Sequence, residues 1–197
     1  MKINPMMKFH VKQYDVNEIG NLSIMTVNMG VMQMATFVLN SKQKNLPLIS
    51  SDFMFILGNR KHYFEVYDLV ENMDEPYQNL LQQLENLKQT HSNLVDVQPT
   101  AAWYDKLKTV GIYKAAKPEN DAECEKILAE ILEILLNHAQ SLPVLSPEQQ
   151  NTKAAITKEY TDGLISRGGV STDVFKKSLG EEKTRDFFDT VFFGTTR

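Results

Sequence analysis

The sequence predicts an α+β fold in which an antiparallel sheet is covered by helices on its faces. Three observations carry this. The first third alternates between apolar and polar residues at period two, broken by turn signals. Its consecutive strand segments are joined by short connections, which imposes an antiparallel meander. The remainder is dominated by apolar stripes at helical spacing. The 197 residues, 42% hydrophobic and 23% charged, suffice for one domain with a real core, taken as 1–197.

The strands come first. Residues 8–16 alternate, with Phe9, Val11 and Gln13 on one face and His10, Lys12 and Tyr14 on the other. A turn at 17–21 leads to a strand over 22–27, and Asn28-Met29-Gly30 turns the chain into a third over 31–39. After a polar loop at 40–45, Pro47 fixes an extended or turn conformation. Residues 53–57 read as a buried strand, Gly58-Asn59 as a hairpin turn and 61–69 as its return strand. Residues 110–115 read as a sixth strand. Seven of the nine methionines fall in the first 34 residues. They suit either plain core filling or a flexible pocket for a flat ligand.

The helices follow. Asp74 caps a helix with Pro76 in its first turn and Tyr77, Leu80, Leu81, Leu84 and Leu87 on one face. Residues 95–99 read as a connector, and 101–107 as a short helical turn bearing the single tryptophan, Trp103. A helix from Pro118 to about Ser141 carries Ile127, Leu128, Ile131, Leu132, Leu135 and Leu136. Ser146-Pro147-Glu148-Gln149 starts another that runs to about Ile165. Ser171 or Thr172 caps a short helix to Leu179, and a last amphipathic helix carries Phe187, Phe188, Val191, Phe192 and Phe193.

Composition excludes several classes of function. A net charge of −4 argues against non-specific nucleic-acid binding. One cysteine, Cys124, permits no internal disulfide and fits a reducing cytoplasm. His10, His62, His91 and His138 have no metal-ligand spacing, so no metal site is expected. No apolar run approaches the roughly 18 residues of a membrane span, and no signal core opens the chain. Gly168-Gly169 lack the Lys-Ser/Thr of a phosphate loop, and no Gly-x-Ser-x-Gly or Cys/His pattern marks a nucleophile.

One stretch invites a chemical reading. In Asn45-Leu46-Pro47-Leu48-Ile49-Ser50-Ser51-Asp52-Phe53, a carboxylate stands at the mouth of an apolar strand beside two small serines. An Asp pressed against an apolar sheet face has a raised pKa and can donate a proton near neutrality. The ordinary alternative is a turn-forming Asp that bonds its own backbone.

The chain also resembles the ferredoxin-dependent bilin reductases. Leu46-Pro47 through Asp52-Phe53 is similar to that family's Leu-Pro-x-x-x-x-Asp segment before a central strand. Tyr67-Asp68-Leu69 resembles its Ala-Asp-Leu strand ending. Trp103, followed by a strand ending near Lys114, resembles its Trp before the strand with a basic propionate contact. Leu142-Pro143-Val144-Leu145-Ser146-Pro147-Glu148-Gln149 is similar to its Pro-Leu-Ser-x-x-Gln helix start. Val174 through Glu182, with Phe192-Phe193, resembles its closing helix and final Leu-Phe. The resemblance covers about residues 22–194.

It implies a three-layer α/β/α sandwich with a central antiparallel sheet. A bilin such as biliverdin would lie between the sheet and the C-terminal helices. Ferredoxin or flavodoxin would supply single electrons, with no bound cofactor, and Asp52 would donate the proton. Ser50, Ser51, Arg60, Lys61, Lys114 and Arg167 become candidate substrate contacts. Lys106, Lys108, Lys176, Lys177 and Lys183 become candidates for an acidic ferredoxin.

The sequence departs from the family's pattern in places. The positions of its relay His and Glu fall at Ala35 and in 22–27, where Ser23, Met25 and Thr26 stand. A further acid falls at Gly168-Gly169, with Asp173 the nearest carboxylate. The chain is shorter at its start by about 40 residues than a typical member, so a smaller sheet or a homodimer that completes it is expected. Three readings follow: a bilin reductase, a tetrapyrrole-binding protein that does not reduce its ligand, and an unrelated interaction protein.

Overall fold

The computed structural model describes residues 2–4, 7–169 and 172–196. Within these residues eight strands form one antiparallel sheet: β1 (Lys2–Asn4), β2 (Met7–Val16), β3 (Gly20–Asn28), β4 (Met32–Ser41), β5 (Leu48–Ile56), β6 (Asn59–Tyr67), β7 (Val95–Asp96) and β8 (Lys108–Ala116). Their spatial order is β1-β2-β3-β4-β5-β6-β8-β7. Six were expected. β1 is an added edge strand, and the expected connector after Leu94 contributes β7, which pairs with β8 at the other edge.

Among the described residues, five α-helices cover the sheet: α1 (Glu75–Thr90), α2 (Asp121–Ser141), α3 (Pro147–Arg167), α4 (Thr172–Leu179) and α5 (Glu181–Phe187). Side chains alternate across each strand, so one face of the sheet packs on α1 and α2 and the other on α3 to α5. The first layer joins Leu39, Ile49, Phe64, Val66 and Ile112 to Tyr77, Leu80 and Leu84 of α1 and to Ile127 and Ile131 of α2. The second joins Phe9, Met25, Val38, Leu48 and Tyr67 to Tyr160 and Leu164 of α3, to Phe175 of α4 and to Phe188 and Phe192. This is the three-layer α/β/α sandwich.

The helix starts follow their capping residues. Asp74 accepts from the Tyr77 amide at 3.0 Å, and Ser146 and Gln149 close a reciprocal capping box on α3. The expected cap Ser171 lies outside the described residues. In α2 the buried stripe is Cys124, Ile127, Ile131, Leu135 and Ala139, while Leu136 stays exposed. His91, at the end of α1, is buried between Glu123 at 2.6 Å and Glu130 at 2.7 Å, which ties α1 to α2.

Two boundaries differ from expectation. β5 begins at Leu48, five residues early, because Ser50 and Ser51 pair as regular ladder residues with β4 and β6. Asp52 is therefore mid-strand and not at a strand mouth. The β5–β6 turn is Leu57-Gly58, one residue earlier than expected, with positive φ at both positions (48° and 85°), as a type I′ hairpin requires.

At the C-terminus, α5 runs into a wider turn over Phe188–Phe192, closed by Phe193 N to Phe188 O at 2.8 Å. Carbonyls that this geometry frees are taken by sheet side chains. Gln13 donates to Thr190 O at 2.9 Å, Ser23 to Val191 O at 2.6 Å and Asn40 to Phe193 O at 2.8 Å.

Candidate active site

Ladder register decides which side chains meet. Met25 on β3, Thr36 on β4, Asp52 on β5, Tyr63 on β6 and Tyr113 on β8 stand in one cross-strand row. They face α3 and the C-terminal turn. A neighbouring row holds Val38, Ser50, Glu65 and Gly111. Between this face and Tyr104, Tyr160, Phe188 and Phe192 lies a cavity of about 310 Å³, lined by Asp52. Its walls are mostly aromatic and aliphatic with a few convergent polar groups, the usual make-up of a small-molecule site.

Asp52 accepts a 2.5 Å hydrogen bond from the Thr36 hydroxyl. Burial pushes its carboxyl up to about 6; the Thr36 bond opposes this, and the negative charge of Glu65 adds to it. Asp52 is thus poised as an acid near neutral pH.

Glu65 has the opposite environment. It accepts from Tyr67 OH at 2.6 Å, Lys108 Nζ at 2.7 Å and Tyr113 OH at 3.1 Å. Lys108 also pairs with Asp105 at 2.8 Å. Burial disfavours the charge on Lys108, but the bonds to Asp105 and Glu65 outweigh it and hold the amine above its ordinary range. Burial also raises the Tyr67 and Tyr160 phenols, and the Tyr113 phenol to about 12.

A β-bulge makes the Lys108 contact. Val110 pairs with Val66, but Lys108 pairs with Tyr67, so Thr109 is an extra residue. Regular pairing would send Lys108 to the α1–α2 face; the inserted residue turns it into the cavity. Thr109 itself donates to Asp68.

The candidate substrate contacts divide. Ser50 and Lys61 line the cavity with Asp52, Lys61 from an exposed position at its rim. Ser51 points to the opposite face and bonds His62 at 2.8 Å. That Ser–His pair has no nucleophilic role: Ser51 is wholly buried, and His62 Nδ1 has no partner among the described residues. Arg60 also faces away, paired with Asp121 at 3.0 Å and lying over the Phe55 ring at 4.4 Å. Adjacent strand residues alternate, so Arg60 and Lys61 do not share a site. Lys114 is buried on the α1–α2 face and reaches Asp96 at 2.8 Å. Arg167 ends α3, exposed, over the Trp103 ring at 5.0 Å.

Alternation also revises the relay positions. Ala35 pairs with Phe53 and faces away; Thr36 and Met34 are the β4 residues that point into the cavity beside Asp52. Gly169 lines the cavity, whereas Asp173 is exposed. Of the lysines read as a ferredoxin surface, Lys108 is buried in the Glu65 network.

Thr36, Glu65, Lys108, Tyr104 and Tyr160 were not among the site residues expected from sequence. For Glu65 a signal existed, since Lys61, Tyr63, Glu65 and Tyr67 repeat at period two on the same strand face as Asp52's cross-strand partner.

Among the described residues, no helix is long and apolar enough to cross a membrane, and no group of His, Cys, Asp or Glu is placed to hold a metal ion. No family model and no curated protein matches the sequence. The solved structures that match include phytochromobilin synthase from tomato in complex with biliverdin, with a TM-score of 0.77 and 15% identity over 96% of this chain and 70% of that one. At that identity the likeness shows architecture: this chain is built on the fold of phytochromobilin synthase.

Proposed function

We propose that the protein reduces a bilin, biliverdin or a related open-chain tetrapyrrole, with single electrons from ferredoxin or flavodoxin and protons from Asp52. One observation carries the reading. A half-buried carboxyl raised to about 6 lines an apolar cavity on the sheet, in a chain with the fold of a biliverdin-binding synthase. Saturating one double bond takes two electrons and two protons. Each added electron makes the tetrapyrrole more basic, and a neutral carboxylic acid completes the step by proton transfer. Asp52 gives a proton, regains one from water, and is ready for the second electron. Lys61 at the rim suits a propionate, and Ser50 can hydrogen-bond to the ligand's polar edge.

A second reading is a protein of this fold that binds a tetrapyrrole without reducing it. It is favoured by the residues facing the cavity from β4 near Asp52, Met34 and Thr36, neither of which relays protons as His or Glu would.

The test is spectroscopic. Biliverdin is added and its visible bands followed; reduced ferredoxin is then supplied without oxygen. A shifted spectrum that then bleaches or gains a new band is the expected result, with turnover lowered at least about 100-fold in Asp52→Asn. A shift with no later change supports the binding protein. No shift on mixing overturns both readings for this ligand, and full turnover in Asp52→Asn removes Asp52 as the donor.

A further inference from the structure

Two carboxyl groups face one cavity, and their surroundings differ. Among the described residues, Asp52 has a single hydrogen-bond donor in Thr36, while Glu65 has an ammonium and two phenols. Three charge-assisted donors address an anion. Two details show that this arrangement is built in. The extra residue Thr109 turns Lys108 inward to reach Glu65. Opposite Glu65 stands Gly111, where a Cβ would come within 2.6 Å of the Tyr113 hydroxyl and ring. Only a residue without a side chain lets that ring lie across β8 toward Glu65.

Thr36 on β4 meets Asp52 directly, and Lys61, Tyr63, Glu65 and Tyr67 on β6 share its sheet face. Tyr104, Lys108 and Tyr113 flank that face, and Tyr160 faces it from α3. Burial raises the Tyr67, Tyr104, Tyr113 and Tyr160 phenols, so these stay uncharged near pH 7; Lys61 is solvated at the rim, and Lys108 is committed to Glu65 and Asp105. Glu65 is the one fixed anion in this set.

We infer that Glu65 is a positioning residue, a clamped anion that adds to burial in holding Asp52 in its protonated, proton-donating form. Asp52 pairs with Tyr63, and Glu65 lies two residues further along β6, so the two residues are diagonal neighbours on one face, their backbone positions about 7–8 Å apart. Ionising Asp52 would place a second negative charge beside the first in a poorly hydrated site, which disfavours that ionisation. In a bilin reductase this keeps the donor loaded between electrons. That use rests on the function proposed above, while the coupling itself does not.

The experiment titrates the Asp52 carboxyl in ligand-free protein by 13C NMR, its resonance assigned by its loss in Asp52→Asn. Glu65→Gln keeps shape and removes charge, and its expected effect is a midpoint lower by about one pH unit, or about tenfold less protonated Asp52 at neutral pH. Lys108→Met strips the counter-charge from Glu65, and the midpoint rises. Opposite movements are the signature of charge; loss of packing moves both variants alike. A midpoint unmoved by Glu65→Gln, or moved in the same direction by both, overturns the inference. Should Glu65→Gln fail to fold, Lys108→Met against wild type decides by the sign of its shift. In the presence of biliverdin, the pH profile of reduction shifts with the midpoint. Absence of biliverdin binding would count against the function and leave the coupling intact.

Discussion

Asp52 works against the fold that holds it. Its carboxyl is raised above that of the unfolded chain, so the protonated form is the one the native state favours. Its contribution to stability is whole below the unfolded value near 3.8, declines as pH rises, and is lost above about 6. Because the group opens onto a cavity rather than dry protein, the loss is discounted to about 2 kcal/mol. Asp52→Asn removes the ionisation and keeps an acceptor for Thr36. The variant is expected to gain stability over wild type progressively from pH 4 to 6, reaching about 2 kcal/mol above that range, while losing proton donation. Urea denaturation at several pH values measures the difference, and a gap constant from pH 4 to 8 sinks the account. Behind Asp52, His62 has the reverse sign. Burial lowers it to about 4, so its contribution is present above 6.5 and fades as pH falls through 4. The chemical character of Asp52 was legible in Ser50-Ser51-Asp52-Phe53. Its mid-strand position was not, because two serines look like a turn until their ladder partners on both sides are known.

At the scale of elements, what could be read from sequence was what depends on near neighbours. The α1 stripe, the Asp74 cap and the Ser146–Gln149 capping box follow from residues three or four positions apart. The β8 bulge and the widened turn at Phe188–Phe192 depend on partners far along the chain, so the placement of Lys108 and of the C-terminal phenylalanines was hidden. Gly163 belongs to the hidden kind. Glycine inside a helix is unfavourable by about 1 kcal/mol relative to alanine, which gives α3 no local reason for it. The reason is Trp103, whose indole would lie 2.4 Å from a Cβ at this position. That ring is rigid and is anchored by its Nε1 bond to Gly168 O at 2.9 Å. The clash therefore outweighs the gain in propensity, and Gly163→Ala is expected to cost about 1–3 kcal/mol net. Displacing Trp103 also moves the segment that carries Thr100 and Tyr104 to the cavity. As the chain's single tryptophan, Trp103 reports the event by a red-shifted emission. Unchanged emission with unchanged stability contradicts this packing argument.

Across the whole molecule, the sheet separates two cores with different duties. The α1–α2 side packs Leu39, Ile49, Phe64, Val66 and Ile112 against two helices, whereas the opposite side is interrupted by the cavity and closed by the C-terminal turn. The turn is held both by the burial of Phe188, Phe192 and Phe193 and by sheet side chains that donate to its carbonyls. Asn40, only 2% exposed, is one of these donors. Asn40→Leu leaves the Phe193 carbonyl buried without its donor, at a cost of about 1–3 kcal/mol. Since the bond joins the sheet to the C-terminal layer alone, the loss should be local. Amide exchange is expected to accelerate across α5 and the turn while α2 keeps its protection, because such openings follow cooperative units rather than the whole fold. Under the proposed function, biliverdin affinity should fall in parallel, as Phe188, Phe192 and Phe193 form part of the cavity wall. Equal acceleration in α2 and α5 would mean that the two cores open as one, and that the C-terminal layer is a structural half of the molecule and not a separable wall of its pocket.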